Sequence, residues 1–338
     1  MVTIKDISRL SGYSITTVSK ALNNYSDIAT STKKHIKKIC NEVGYIPNAQ
    51  AQSLVSKKSY TIGIIFEEMS GVGLQHPLFS KILESFKTEV EKLGYDIMFL
   101  SKSQGNGNSG SYYQHSIRKQ VEAILVLCAE FDSDEMHELY DCNLPIVNID
   151  FTNEKICNIT SNNESGIKKS VKHLVDLNHK KIAHIHGSLE TYIGGIRRDY
   201  FIEAMEENNL VVNEDYLVNG EFFSRENGFE AMNELLKLKE QPTAIVCASD
   251  MLAIGAMQAI NQYGKKVPDD YSIIGFDGVE LGQIITPKLT TIKQDTEQMG
   301  KMAAKYILRM INTKKQTKNG QTITVETTVL EGETVRKI

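Results

Sequence analysis

Carboxylates recur at one kind of place in this 338-residue chain, just beyond short apolar runs. Glu67 and Glu68 follow residues 61–66, Asp150 follows 146–149, Ser249 and Asp250 follow 244–247, and Asp277 follows 272–276. Arg197 and Arg198 begin a predicted helix after Gly194-Gly195, and Phe223 lies in a loop ahead of Gly228 and Phe229. Together they suit a polyhydroxylated ligand. Carboxylates accept hydroxyl hydrogens, arginine donates a fork, and an aromatic ring packs on a C–H face. Taken singly, each reads equally well as strand-end capping or surface charge.

Catalysis is not expected. The chain holds no Walker A loop, GxSxG elbow, HExxH, or GxGxxG placed after a strand. His184 and His186 alternate along a predicted strand and mimic the spacing of a metal pair, but strand-face histidines are more often structural, so no metal or cofactor is expected. Five scattered cysteines without a CxxC pair fit a reducing cytoplasm. The first residues lack the basic start and apolar stretch of a signal peptide, and no run of about 18 apolar residues could span a membrane.

The elements that must position the carboxylates form an alternating series. Strands are predicted at 61–66, 96–100, 123–128, 146–149, 182–185, 244–247 and 272–276, with a further strand-like stretch at 322–330. Helical patterns occupy 79–93, 165–177, 196–208, 226–238, 251–263 and 297–311. Apolar strands alternating with amphipathic helices imply α/β architecture with parallel sheets covered on both faces. About 280 residues exceed one doubly wound sheet, so two lobes are expected, with ligand beyond the carboxyl ends of the strands.

The amino-terminal sixty residues differ in kind. They carry nine Lys/Arg against three acids, a net +6, while the remainder carries −10. A basic end on an acidic body attracts a polyanion at one end only. Thr3 to Asp6 reads as a capping box, with Ile4, Ile7 and Leu10 on the inner face of a first helix. Gly12 suits a left-handed turn, and Ser14 restarts a helix with Val18, Ala21 and Leu22 inward. A third helix, 32–43, turns Ile36, Ile39, Cys40 and Val43 inward. This is the helix-turn-helix layout, although periodicity alone also allows a protein–protein module. In such a layout the second helix exposes Ile15, Thr16, Thr17, Ser19 and Lys20. Ile15 suits a thymine methyl and Lys20 suits guanine acceptors, while Thr17, Ser19 and Asn23 suit phosphates. Pro47 ends the third helix, and Asn48 can cap a short segment with Ala49, Ala51 and Leu54, too short for helix in isolation.

The strings VTIKDIS at 2–8, SITTVSKALN at 14–23 and GYIPNAQAQSL at 44–54 strongly resemble the LacI/GalR repressor family. The resemblance implies base-reading positions at Ile15, Thr16 and Lys20. It implies backbone contacts at Thr17, Ser19, Asn23, Tyr45 and Asn48, and we count Thr3, Ser14 and Thr32 with them. It also implies a hinge helix that pairs with its dimer mate in the minor groove, Leu54 wedging between bases and Ala51 allowing close approach. Ala29 stands where relatives often carry a capping serine, a role open to Thr30 or Ser31. Farther on, ASDMLAIGA at 248–256, IGFD at 274–277 and the crossover strand LTTI at 289–292 continue the resemblance. They imply effector contacts at Arg197, Phe223, Ser249 and Asp277. Glu67 and Leu127 stand where sugar-binding members use small polar residues or asparagine, and Tyr200 replaces a frequent glycine.

The expected organisation is a headpiece at 1–47, a hinge and linker at 48–58, and a two-lobed sensor of the type I periplasmic-binding-protein kind at 59–338. The expected protein is a cytoplasmic, nucleoid-associated homodimeric regulator, without membrane partner, of near-palindromic double-stranded operator DNA. Its expected effector is a small sugar-like molecule in the sensor, at Glu67, Leu127, Asp150, Arg197, Phe223, Ser249 and Asp277. The alternative is a periplasmic-type solute-binding protein without DNA function. The chain ends without a leucine heptad tail, which favours a dimer over a tetramer.

Overall fold

Thr3 opens the first helix, α1 (Ile4–Ser11), by a reciprocal capping box with Asp6, and Gly12 closes it at φ 71°. Ser14 caps α2 (Ile15–Leu22) through Thr17 N–H, and α3 (Thr30–Glu42) completes the headpiece. The amino-terminal residue of α3 is preceded by Ala29, which supplies no side-chain cap. Neither Thr30 nor Ser31 takes that role, because both lie inside the helix. Ile7, Val18, Ala21, Ile36 and Cys40 form the core, with Tyr45 packed against it. Leu10 departs from expectation: it is 53% exposed. In the eight-residue α1 only Ile7 is fully buried.

The computed structural model describes residues 2–47, 58–67, 71–102, 110–313 and 320–338. The expected hinge, with Asn48, Ala51 and Leu54, and the strand-end residue Glu68 lie outside them. The chain divides into two compact units, Met1–Tyr60 and Thr61–Ile338.

In the larger unit the first lobe begins with β1 (Thr61–Phe66), α4 (Pro77–Glu91), β2 (Asp96–Phe99), α5 (Tyr112–Lys119), β3 (Ala123–Cys128), α6 (Asp134–Tyr140), β4 (Ile146–Ile149) and β5 (Cys157–Ser161). The second lobe follows with α7 (Asn163–Asp176), β6 (Ile182–His186), α8 (Tyr192–Glu207), β7 (Leu217–Asn219), α9 (Arg225–Leu236), β8 (Ala244–Cys247), α10 (Asp250–Gln262), β9 (Ser272–Asp277), α11 (Glu280–Ile284) and β10 (Thr290–Gln294). The chain then returns to the first lobe as α12 (Thr296–Thr313) and β11 (Thr322–Val325), and ends in the second with β12 (Thr327–Leu330).

The sheet orders are β11-β5-β4-β3-β1-β2 and β12-β10-β9-β8-β6-β7. All pairings are parallel except β10 with β12. Every residue of β4, β5, β6, β8 and β9 is buried, as sheets covered on both faces require. The stretch expected as one strand at 322–330 is two, divided at Glu326, each serving a different sheet. Three passages therefore join the lobes, at 161–163, 294–296 and 325–327. They are bonded to one another: Asn162 N–H donates to Val325 C=O at 2.8 Å, and Ser161 Oγ donates to Gln294 Oε1.

The helix that carries Arg197 starts earlier than expected. It begins at Tyr192 because Thr191 caps Gly194 N–H at 3.1 Å, which places both glycines in the first turns. Glycine matters for close approach at Gly255, where a Cβ would come 2.0 Å from Arg225 C=O and force α9 and α10 apart.

Candidate functional site

In the headpiece, α2 presents Ile15, 44% exposed, beside exposed Thr16. Thr17 and Ser14 share a 2.9 Å hydroxyl bond, so both side chains serve the helix start. Asn23 Nδ2 donates to Ser19 C=O at 3.0 Å, and Thr3 Oγ1 donates to Asp6 at 2.7 Å. These polar groups are pre-set by local bonds. Thr32 is half-buried on α3, and half-buried Tyr45 rests on the headpiece core, which raises its hydroxyl pKa by desolvation.

Lys20 holds a partner that its sequence position did not reveal. Its Nζ donates to Asp27 Oδ2 at 2.6 Å, and this hydrogen bond, together with the opposite charge, raises the lysine pKa and lowers that of the carboxyl. Any acceptor on a base edge must compete with Asp27. Asp27→Asn is expected to raise affinity for mixed-sequence duplex and to steepen the log K against log salt slope by about 1. Fluorescence anisotropy across a salt series measures this; an unchanged slope would show that Asp27 does not restrain Lys20.

In the larger unit a cavity of about 370 Å³ opens between the lobes, at the carboxyl ends of β3, β4, β8 and β9. It is lined by Leu127, Asp150, Arg197, Phe223, Ser249 and Asp277 among others. Glu67 departs from the expected set: it is not part of this lining and pairs with Lys102 at 3.2 Å. Ser249 lines the wall and at the same time caps α10, its Oγ accepting from Leu252 N–H at 3.2 Å.

Arg197 organises the floor. Its Nε donates to Asn163 Oδ1 at 2.8 Å and its Nη1 to Ala248 C=O at 2.6 Å, with Asp277 Oδ1 at 3.7 Å. The guanidinium lies 3.8 Å from the centroid of the Phe276 ring, which fixes its plane. Asp277 accepts from Gln294 Nε2 at 2.7 Å, and Gln294 in turn accepts from Ser161. A ligand on Asp277 is thus two hydrogen bonds from the lobe crossings. Asp150 accepts from Ser161 N–H and Thr160 Oγ1, both at 3.4 Å. Asp250, behind the floor, accepts from Val279 N–H at 2.7 Å and from Thr291 Oγ1.

Burial raises all three carboxyls. Asp277 is pushed up to about 6, with Arg197 and the Gln294 bond opposing the rise. Asp150 is raised by burial against Arg197, and Asp250 well raised by burial and by the charge of Asp277. Three floor residues also hold positive φ: Asp150 at 54°, Phe223 at 64° and Asp277 at 122°. Such backbone is uncommon away from glycine and clusters at ligand sites. The Phe223 ring fits only because residue 187 is glycine, where a Cβ would meet it at 2.1 Å.

Sequence reasoning missed several participants. Asn163, Gln294 and Ser161 come from the lobe crossings. Phe131, Phe151 and Tyr192 come from loops and a helix start, with Phe131 stacked on Phe151 at 4.1 Å and Phe151 edge-on to Tyr192 at 5.4 Å. Only their position after predicted strands could have signalled the two phenylalanines. His184 and His186 direct Nδ1 to Val246 C=O and Gly187 C=O, and no cluster of three or more metal-ligating side chains forms among the described residues. No described helix is long and apolar enough to cross a membrane.

Comparison with known proteins places both units. Residues 3–48 match the family described as bacterial regulatory proteins, lacI family, and residues 171–335 match a periplasmic binding protein-like domain. The chain is 34% identical to the probable HTH-type transcriptional repressor ExuR of Bacillus subtilis, over 92% of both chains. It is also 34% identical to the HTH-type transcriptional repressor PurR of Histophilus somni, over 93% of both. Among solved structures, the lac repressor dimer bound to operator and the anti-inducer ONPF superposes with TM-score 0.83 at 24% identity, covering 99% of each chain. The complex of the transcriptional regulator CelR with cellobiose gives 0.71 at 21% identity, covering 99% of this chain and all of that one.

Proposed function

Because the chain belongs to the LacI family of bacterial regulatory proteins, effector-controlled DNA-binding regulators, we propose that it acts in the cytoplasm as a homodimeric repressor whose operator affinity is set by a sugar-like molecule in the interlobe cavity. The observation that carries this reading is the cavity floor, where a buried arginine, two carboxylates and three strained backbones converge between lobes joined by bonded crossings. Carboxylates and a guanidinium match hydroxyl groups, and the Asp277–Gln294–Ser161 relay connects their occupancy to the crossings. The solute-binding alternative is set aside: residues 3–48 match the lacI family of regulatory proteins, and the relatives that match over more than nine-tenths of this chain are repressors.

On DNA, Ile15, Thr16 and Lys20 read base edges in the major groove, and Thr3, Ser14, Thr17, Ser19, Asn23, Thr32, Tyr45 and Asn48 hold the backbone. One headpiece covers too few base pairs for useful specificity, so a two-fold dimer reads a near-palindromic site. Selection from a random duplex pool with the full-length protein is expected to return a two-fold symmetric sequence. Affinity for it should change when effector saturates the cavity, and by linkage DNA changes effector affinity by the same factor. No sequence preference, or no change at saturation, would refute the reading.

Between headpiece and sensor, Ala51 and Leu54 pair with their dimer mates in the minor groove, Leu54 acting as the wedge. Unstacking a base step costs a few kcal/mol and is offset by contact with bent DNA. Leu54→Ala is expected to lower operator affinity about tenfold and reduce bending in a permutation assay while the sensor stays folded. Undiminished bending would exclude the wedge.

A further inference from the structure

We propose that the effector is an uncharged molecule with two apolar faces, such as a neutral disaccharide or aryl glycoside, and that sugar acids and sugar phosphates are rejected. This rests on the reading of the cavity as a sugar site and narrows it.

The described lining contains five carboxylates, Glu130, Asp132, Asp150, Glu190 and Asp277, against one guanidinium, Arg197. That guanidinium keeps only part of its donors for a ligand: Nε serves Asn163, Nη1 serves Ala248 C=O, and its charge is already faced by Asp277 at 3.7 Å. Glu130, Asp132 and Glu190 are exposed at the rim, so an incoming anion meets three like charges before it reaches the floor. Among the described lining residues, an anionic ligand would lose its water to one guanidinium that already faces Asp277, with like charges around it. Carboxylates facing hydroxyl groups need no such compensation, because each accepts hydrogens that a neutral sugar supplies.

Phe79, Phe131 and Phe151 approach from the first lobe, and Tyr192, Phe222 and Phe223 from the second. Aromatic side chains lining the cavity from both lobes, Phe131 stacked on Phe151 and Tyr192 edge-on to it, suit a ligand with apolar surface on both sides. A gluco-configured hexose already offers axial C–H groups on both faces of its one ring, and a galacto-configured one mainly on a single face; a second ring, sugar or aryl, extends that surface along the aromatic walls of both lobes. The volume of about 370 Å³ is within the range of small-molecule sites.

The test is calorimetric titration of the full-length protein with a matched panel. It comprises phenyl glycosides and neutral disaccharides of gluco and galacto configuration, the parent hexoses, the two hexuronates and glucose 6-phosphate. At least one two-ring neutral probe is expected to bind at least tenfold more tightly than its parent hexose and than every anionic probe. In the doubly substituted protein Glu130→Gln, Glu190→Gln, both sites exposed and far from the fold's core, the gap to the anionic probes should narrow severalfold. An anion binding as tightly as the best neutral probe would overturn the charge argument while leaving the sugar reading intact. A parent hexose equal to its two-ring derivatives would overturn the preference for a second ring. Failure of every panel member to bind would overturn the sugar reading itself, and this inference with it.

Discussion

Arg197→Met should destabilise the larger unit by roughly 3–5 kcal/mol in urea unfolding and abolish effector binding. Arg197 is 3% exposed, and Asp277 beside it is 8% exposed. Two charges removed from water are tolerated because each is the other's solvent. Removing the cation alone leaves Asp277 and Asp150, both buried, facing one another's charge, and leaves Asn163 Oδ1 and Ala248 C=O without their donor. Protonation of Asp277 relieves part of the cost, since the attraction of Arg197 is what holds its pKa down against burial. Arg197→Lys should recover little: an ammonium cannot serve Asn163 and Ala248 together while lying flat on Phe276. The decisive comparison is the double variant Arg197→Met, Asp277→Asn, which removes both charges. It should be more stable than the two single losses added together, and strict additivity in that cycle would show that the pair is not coupled.

What could be read in advance follows a physical division. Asp150, Arg197, Phe223, Ser249 and Asp277 were legible because each follows or opens an element with strong periodicity, and strand ends in parallel sheets point to the ligand side. Glu67 has the same sequence signature, yet Lys102 from the next loop captures it; local pattern carries no record of a partner 35 positions away. Asn163 and Gln294 were invisible for the same reason, since their roles exist only where three chain passages meet. The alternation Thr-Ile-Thr-Val-Glu-Thr-Thr-Val-Leu at 322–330 is that of a single strand, and only the crossing between lobes breaks it at Glu326. In the headpiece the caps at Thr3 and Ser14 were plain because capping is local, whereas Leu10 kept its helical spacing and is nonetheless exposed. The Lys20–Asp27 pair spans a loop whose geometry no periodicity encodes.

Asp277→Asn should gain stability on the unsubstituted protein as pH rises from 4 to 7, by on the order of 2–3 kcal/mol in total. The ordinary carboxyl pKa is 3.8, and the folded value is pushed up to about 6, chiefly by burial. Between these values the folded chain still holds a proton that the unfolded chain has released, so raising the pH pulls the unsubstituted protein toward unfolding. Below about 4 both states are protonated and the penalty vanishes; above about 6.5 it is complete. Asp250 is raised in part by the charge of Asp277, so the substitution flattens its contribution too. The absolute profile will not show this cleanly. His184, lowered by burial to about 3, stays neutral in the folded chain while the unfolded chain protonates below about 6.5, which lowers stability as pH falls. His179 and His186, also lowered by burial, act in the same direction. These histidines are common to both proteins and cancel in the difference, which is why paired urea titrations across pH are the measurement. The same ionisation governs ligand binding, because only the carboxylate accepts a ligand hydroxyl without holding a proton of its own. Affinity of the unsubstituted protein for a neutral effector should therefore fall as pH drops through 6, while that of the asparagine variant stays low and flat. Stability curves that run parallel across pH would show that Asp277 titrates alike in the folded and unfolded chain.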